Sequence, residues 1–267
     1  MIINGRQIAK TLEQELAYQL SVLPKKRVAF VLFGNDSSSI QFIGIKSRVA
    51  QRLGIETKTF HYQDINSTEL ALSKITEIIS ESYDGIVVQL PLPVGMDTQV
   101  ILNSIPAQLD IDVLGDEAKS KYISSSSHKI PPVAAAIQEI IKSIDIDLKN
   151  KKVLIIGNGK LVGEPVGIMI SHDDIVFDIV DKDTHEQFRN EKIRNADIII
   201  SGVGIPHLIQ PDMIQPGVIL IDAGTSEQSG KLAGDIDPAC AEVASYITPV
   251  PGGVGPITVV ALFRNLL

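Results

Sequence analysis

The chain has 267 residues, sets 24 Lys and Arg against 32 Asp and Glu for a formal charge of −8, and holds one cysteine and five histidines. That length fits one large α/β domain or two ordinary ones, and the acidic balance argues against a nucleic-acid partner while leaving room for a local cationic pocket. Cys240 alone excludes an intrachain disulfide, the scattered histidines give no metal-ligand spacing, and no apolar run reaches the roughly 18 residues of a membrane span. Met1 leads straight into Ile2-Ile3-Asn4-Gly5-Arg6 with no basic stretch before an apolar one. The expectation is a protein with no metal, no membrane partner and a cytoplasmic location.

Ile8, Leu12, Leu16 and Leu20 recur at four-residue spacing and predict an amphipathic helix. Arg27–Gly34 is a near-continuous apolar run ending in glycine, the pattern of a strand buried on both faces of a parallel sheet. A polar turn follows, with Asp36 or one of Ser37, Ser38 and Ser39 as N-cap of a helix that Gly54 stops. Phe42 and Lys46 share a face of that helix. By itself Lys46 reads as a solvated helix lysine. Thr57–Tyr62 predicts a strand and Thr68–Ser80 a helix. Asp84–Leu90 predicts a further strand that Pro91-Leu92-Pro93 must end. Gln89 then lies at a strand's carboxyl end, where open α/β sheets bind ligands. After a short helix at Thr98–Asn103, Asp110-Ile111-Asp112 places two carboxylates that would point the same way in extended chain.

Ser124–His128 reads as a crossover between domains. Beyond it come a helix at Val133–Ile144 and a buried strand at Lys151–Ile156, then the turn Gly157-Asn158-Gly159-Lys160-Leu161-Val162-Gly163. Glycines between a strand and a helix permit the tight bend and bring a phosphate to the helix N-terminus, which makes Gly157, Asn158, Gly159, Val162 and Gly163 candidate dinucleotide contacts. The following strand, Ile175–Val180, ends at Asp181 and Lys182. An acid here either accepts the ribose hydroxyls of NAD or caps the next helix, and the spacing leaves both open. Strands at Ala196–Ser201 and Val218–Asp222 end in small residues, among them Gly202 and, just beyond Ala223-Gly224, Thr225, suited to a flat nucleotide. The alternation predicts α/β with parallel sheets in two lobes. Near the end, Thr248-Pro-Val-Pro-Gly-Gly-Val-Gly-Pro-Ile-Thr258 holds three prolines and three glycines, a backbone path specified either as a rigid turn before the last helix, with Pro256 at its start, or as a ligand-contacting loop.

In order and approximate spacing, Ser39-x-x-Phe42-Ile43-x-x-Lys46, Val88-Gln89-Leu90-Pro91-Leu92-Pro93, Asp110-Ile111-Asp112, the 157–165 turn and the 248–258 run resemble the bifunctional methylenetetrahydrofolate dehydrogenase/methenyltetrahydrofolate cyclohydrolase family. The resemblance spans nearly the whole chain. It implies a folate lobe of residues 1–127 and 252–267, a Rossmann-like NAD(P) lobe of residues 128–251, and a C-terminal helix returning to the first lobe. It further implies Lys46 as the central catalytic group, because a lysine partly buried beside a polar partner can act as a base for water attack on the methenyl carbon. Gln89 would hold Lys46, Asp112 would bind the pterin ring, and Phe42, Pro249, Pro251, Gly252 and Gly253 would contact the folate. A homodimer through the nucleotide lobe and a place in one-carbon metabolism and purine biosynthesis are family expectations.

Several positions depart from the family pattern. Phe42 replaces a tyrosine, Leu109 and Val113 replace the lysine and glycine flanking the acidic triplet, Pro-Cys-Thr-Pro is reduced to Ile130-Pro131-Pro132, Gly159 replaces a serine and Asn158 an arginine. Asp181 stands where a histidine is common, which predicts NAD over NADP because a carboxylate repels a 2′-phosphate, while neighbouring Lys182 opposes this. Three readings follow: an enzyme with both activities, a dehydrogenase-only member, and a non-catalytic folate- or nucleotide-binding relative.

Overall fold

The computed structural model describes residues 1–228 and 231–267. The chain divides into two compact units, residues 11–132 with 259–267 and residues 1–10 with 133–258. The chain passes from one unit to the other at 132/133, just beyond the serine-rich segment read as a crossover, and within the first and last helices. The compact division thus places residues 1–10, 252–258 and 128–132 differently from the lobes drawn on the sequence. The physical reason at the N-terminus is a parallel bridge: Ile2 pairs with Ile247, and the Ile3 amide donates to the Ile247 carbonyl at 2.8 Å.

In the 11–132 unit, α1 (Gly5–Ser21, shared with the other unit) precedes β1 (Arg27–Phe33), α2 (Ser37–Arg52), β2 (Glu56–Tyr62), α3 (Thr68–Ile79), β3 (Gly85–Val88), α4 (Thr98–Asn103) and α5 (Asp116–Ile123). The sheet order is β2-β1-β3, all parallel. Central β1 has Val28 to Phe33 all buried, as its unbroken apolar run requires. Phe30 meets Phe263 edge to face at 6.5 Å, and both rings are fully buried. Each such ring contributes roughly 1.5–3 kcal/mol, so this contact fastens the chain's last residues to the central strand. Helix α5 was not legible in the apolar pattern, since only Ala118 and Tyr122 are buried. Its acids Asp116 and Glu117 in the first turn and Lys121 in the last match the helix dipole instead.

In the 133–258 unit, α6 (Pro132–Ser143) leads to β4 (Val153–Ile156), α7 (Gly163–His172), β5 (Phe177–Val180), α8 (Glu186–Asn195), β6 (Ile198–Ser201), β7 (Ile219–Asp222), the antiparallel pair β8 (Ser226–Gln228) and β9 (Lys231–Ala233), β10 (Tyr246–Ile247) and α9 (Val254–Arg264). Five parallel strands take the order β10-β7-β6-β4-β5. The four residues of each of β4, β6 and β7 are buried throughout, while β5 at the edge keeps only Val180 buried. The order steps outward from β4 in both directions, so the chain reverses direction across the sheet beside β4, the doubly wound arrangement with its ligand-binding crevice at the strands' carboxyl ends. The last helix begins at Val254, so Pro256 lies inside its first turn.

Candidate active site

Helix α2 is started by Asp36, whose side chain accepts from the Ser39 amide at 2.7 Å, and stopped at Gly54 with φ +75°. Its inner face buries Ser39, Ile43, Val49 and Ala50. The Ser39 hydroxyl reaches the Leu90 carbonyl at 3.4 Å, fastening the helix's first turn to the end of β3. On the same side two turns further along, Lys46 Nζ donates to Gln89 Oε1 at 3.2 Å and lies 3.7 Å from Asp112 Oδ2. The Lys46 and Asp112 side chains are only 16% and 21% exposed. Three residues far apart in sequence thus meet at the carboxyl end of a parallel sheet. Gln89 is aimed by two bonds: its amide continues the ladder to the Val31 carbonyl at 2.9 Å, and its Nε2 donates to the Leu90 carbonyl at 2.6 Å. That fixes Oε1 as the end offered to the lysine. Phe42 sits one helical turn before Lys46 and is 39% exposed.

The two acids of the Asp110-Ile111-Asp112 triplet do not point the same way. The chain bends instead of staying extended: Asp110 is buried and accepts the amides of Asp112, Val113, Leu114 and Gly115 at 2.8–3.1 Å, whereas Asp112 turns to Lys46. Four N–H groups and the carboxylate satisfy one another only in a tight turn, and that demand overrides strand alternation. Burial holds the Asp110 carboxyl above its ordinary range, opposed by the Gly115 amide bond. Ile111 fills the space beside Gly85, where a Cβ would come within 2.9 Å of it. Val113, where the family pattern has glycine, keeps a left-handed φ of +58°, a costly conformation for a β-branched residue.

In the other unit, Gly157 (φ +90°) ends β4 and Gly163 opens α7. A Cβ on Gly163 would lie 1.9 Å from the Gly157 carbonyl oxygen, so only glycine lets the turn close on itself. A Cβ on Gly159 would meet nothing within 4 Å, leaving open space over the turn in front of a ten-residue helix. An N-terminus of that kind, with a glycine open before it, fits a pyrophosphate. Gly202 is glycine because Val162 packs on it, its Cβ position being 2.3 Å from Val162 Cγ1. Asp181 does not cap α8, whose N-cap is His185; its Oδ1 accepts from the Asp183 amide at 3.1 Å and the Thr184 hydroxyl at 3.0 Å, closing a turn at the end of β5. The Lys182 side chain is 90% exposed and lies 4.0 Å from Asp183. Thr225 is exposed beyond β7.

The sequence reading missed a pair of buried acids here. Asp235 Oδ2 accepts from the Ser201 hydroxyl and the Val203 amide, both at 2.7 Å, and Oδ1 from the Ile205 amide at 2.9 Å, which fixes the loop after β6. Asp222 accepts the amides of Gly224, Asp235 and Ile236. The available signal was an acid closing an otherwise apolar strand, which needs internal donors if it is buried. Burial raises the Asp222 carboxyl from 3.8 to about 6, against the Ile236 and Asp235 amides. A carboxyl raised on folding contributes stability that is fully present below 3.8 and lost as pH rises through about 6. Urea denaturation is expected to show the parent losing ~3 kcal/mol relative to Asp222→Asn between low and neutral pH. A stability difference that does not change with pH would contradict this.

The late loop is also pinned: the Thr248 hydroxyl accepts from the Asp222 amide at 2.7 Å, and the Gly253 amide donates to the Pro249 carbonyl at 2.7 Å. Among the described residues no group of His, Cys, Asp and Glu is arranged to hold a metal, and no helix is long and apolar enough to cross a membrane. Residues 3–112 match the family described as tetrahydrofolate dehydrogenase/cyclohydrolase, catalytic domain, and residues 131–267 match its NAD(P)-binding domain. The chain belongs to the tetrahydrofolate dehydrogenase/cyclohydrolase family. Among curated relatives, the bifunctional protein FolD of Staphylococcus carnosus is 32% identical over 273 residues, covering 100% of this chain and 95% of the relative. The bifunctional FolD methylenetetrahydrofolate dehydrogenase/cyclohydrolase of Campylobacter jejuni superposes with a TM-score of 0.93 at 29% identity, over 100% of this chain and 96% of that one. The Trypanosoma brucei FolD, solved with NADP cofactor and an inhibitor, gives 0.93 at 27% identity, over 100% and 95%. Lys46, Gln89 and Asp112 are three side chains that the fold gathers.

Proposed function

We propose that Lys46, Gln89 and Asp112 carry the folate chemistry of an enzyme that oxidises 5,10-methylenetetrahydrofolate to 5,10-methenyltetrahydrofolate with NAD(P) and hydrolyses the product to 10-formyltetrahydrofolate. The observation that carries this reading is the 3.2 Å bond and 3.7 Å ion pair that converge on Lys46 Nζ. In the hydrolysis, Lys46 takes the proton from the attacking water and Gln89 fixes the amine's position. Asp112 supplies the acceptor for the pterin ring. The oxidation asks for orientation, since a bound nicotinamide supplies the hydride acceptor. Phe42 lacks the family's tyrosine hydroxyl, a loss that by itself weakens proton handling and points to a dehydrogenase-only member; Lys46 nevertheless keeps two polar partners, which favours an enzyme with both activities over that alternative or a non-catalytic relative.

Gly157, Asn158, Gly159, Val162, Gly163, Gly202 and Thr225 are assigned to the nucleotide, and Phe42, Pro249, Pro251, Gly252 and Gly253 to the folate, on the residue-by-residue match. The 11–132 unit carries Lys46, Gln89 and Asp112, and the 133–258 unit carries the glycine turn. The two bonds to Asp181 Oδ1 hold its carboxylate at the end of β5, and the Lys182 side chain has Asp183 as its neighbouring acid. Both features favour NAD. A homodimer formed along β5 is supported by that edge strand and by Val176, Ile179 and Phe188, which are 87%, 36% and 48% exposed. A cytoplasmic place supplying purine biosynthesis accords with the activity.

Absorbance followed with each coenzyme tests the reading: methenyl formation, then its decay by hydrolysis. The expected kcat/KM is at least about tenfold higher with NAD, one well-placed charge contact being worth ~1–3 kcal/mol. A preference for NADP would overturn the role given to Asp181, and absence of both phases would overturn the enzymatic reading.

A further inference from the structure

Every main-chain carbonyl from Ala107 to Ile111 is bound by a group outside the segment. Lys129 Nζ donates to the carbonyls of Ala107 at 3.1 Å, Gln108 at 2.6 Å and Asp110 at 3.4 Å. The Ile86 amide takes the Leu109 carbonyl at 2.8 Å, and Asn265 Nδ2 takes that of Ile111 at 2.8 Å. Asn265 also exchanges bonds with Ile130 in both directions, at 2.9 and 3.1 Å, so the lysine's own neighbour is held by the same side chain. Lys129 is 8% exposed. Burying an ammonium is costly, and an apolar side chain would fill the same volume without that cost. What the cation adds is three charge-assisted bonds of defined direction, all made to the stretch that ends in Asp112.

That stretch needs holding. Val113 sits at φ +58°, and a β-branched residue stays in that region only when its surroundings over-determine it. Asp110 fixes the far side of the turn through four amides, and Lys129 with Asn265 fixes the near side through the carbonyls.

We propose that Lys129 is a positioning residue for the folate reaction, clamping residues 107–111 so that Asp112 stands within ion-pair distance of Lys46. The clamp rests on the assignment of Lys46, Gln89 and Asp112 as the folate site. Removing its cation lets the turn relax, and a displacement of about 1 Å at a reacting site costs on the order of 100-fold in rate.

The test is a double-mutant cycle on the full-length protein, with Lys129→Met, Asp112→Asn and the pair, measuring kcat and KM for the folate and KM for the coenzyme alongside thermal unfolding. Lys129→Met is expected to lower folate kcat/KM by roughly 10- to 100-fold with coenzyme KM unchanged. In the Asp112→Asn background the same change is expected to have little further effect, because the residue it positions has gone. A lysine that only supports the fold would lower the melting temperature and give the same penalty in both backgrounds; equal penalties, or no penalty in the parent, overturn the proposal. If Asp112→Asn alone leaves folate kinetics unchanged, the site assignment fails, a result distinct from failure of the clamp. Should Lys129→Met not fold, Lys129→Gln, which keeps one donor, is put through the same cycle with the same expected non-additivity, and additive effects overturn the proposal.

Discussion

Lys46→Met is expected to lower the hydrolysis of methenyltetrahydrofolate by about 10²- to 10⁴-fold, the usual worth of a positioned general acid or base. Methionine keeps most of the unbranched apolar stem, so the packing of α2 survives. What disappears is the group facing both Gln89 Oε1 and Asp112 Oδ2. Gln89, only 9% exposed, is left without that donor, which costs about 1–3 kcal/mol of stability, too little to unfold an ordinary domain. Coenzyme affinity stays at the parent value, because the glycine turn belongs to the other compact unit. Oxidation falls as well, through loss of substrate orientation. Parent rates of hydrolysis in the folded variant would contradict the assignment.

Gly163→Ala is expected to separate the two activities in the opposite sense. The added methyl would stand 1.9 Å from the Gly157 oxygen, 2.8 Å from its carbon and 3.1 Å from Asn158 Cα. All three are backbone atoms, so the turn itself must open, carrying the first turn of α7 away from the position proposed for the coenzyme's pyrophosphate. Coenzyme KM is expected to rise roughly 10- to 100-fold. Hydrolysis transfers no hydride and needs no coenzyme, so methenyltetrahydrofolate supplied directly is hydrolysed at the parent rate. The same absorbance assay run from each substrate measures both. Equal loss of the two activities in a folded variant would show that the turn is not a coenzyme element.

The strands were legible because burial on both faces needs an unbroken apolar run, and β1, β4, β6 and β7 have one. Gln89 at a strand end could be placed from spacing, whereas Lys46 by itself read as a solvated helix lysine and only the family resemblance marked it as a site residue. The acidic triplet was misread as extended because alternation is a backbone rule, whereas Asp110 obeys the need of four buried amides for an acceptor. Lys129 and Asn265 left no periodic or motif signal, since their partners are main-chain atoms distant in sequence. The same holds for Asp222 and Asp235. Val113 shows a departure from the family pattern that the structure absorbs: the left-handed turn persists with valine in it, held by bonds that sequence does not display.

The central claim is that Lys46 moves a proton and does not merely supply a positive charge. Its most direct test is the hydrolysis rate of Lys46→Arg beside the parent, with substrate binding followed on the same preparation. Arginine retains the charge and can pair with Asp112, yet its guanidinium does not give up a proton in proteins. A variant that folds and binds methenyltetrahydrofolate but no longer hydrolyses it is the predicted result; hydrolysis at the parent rate would contradict the account.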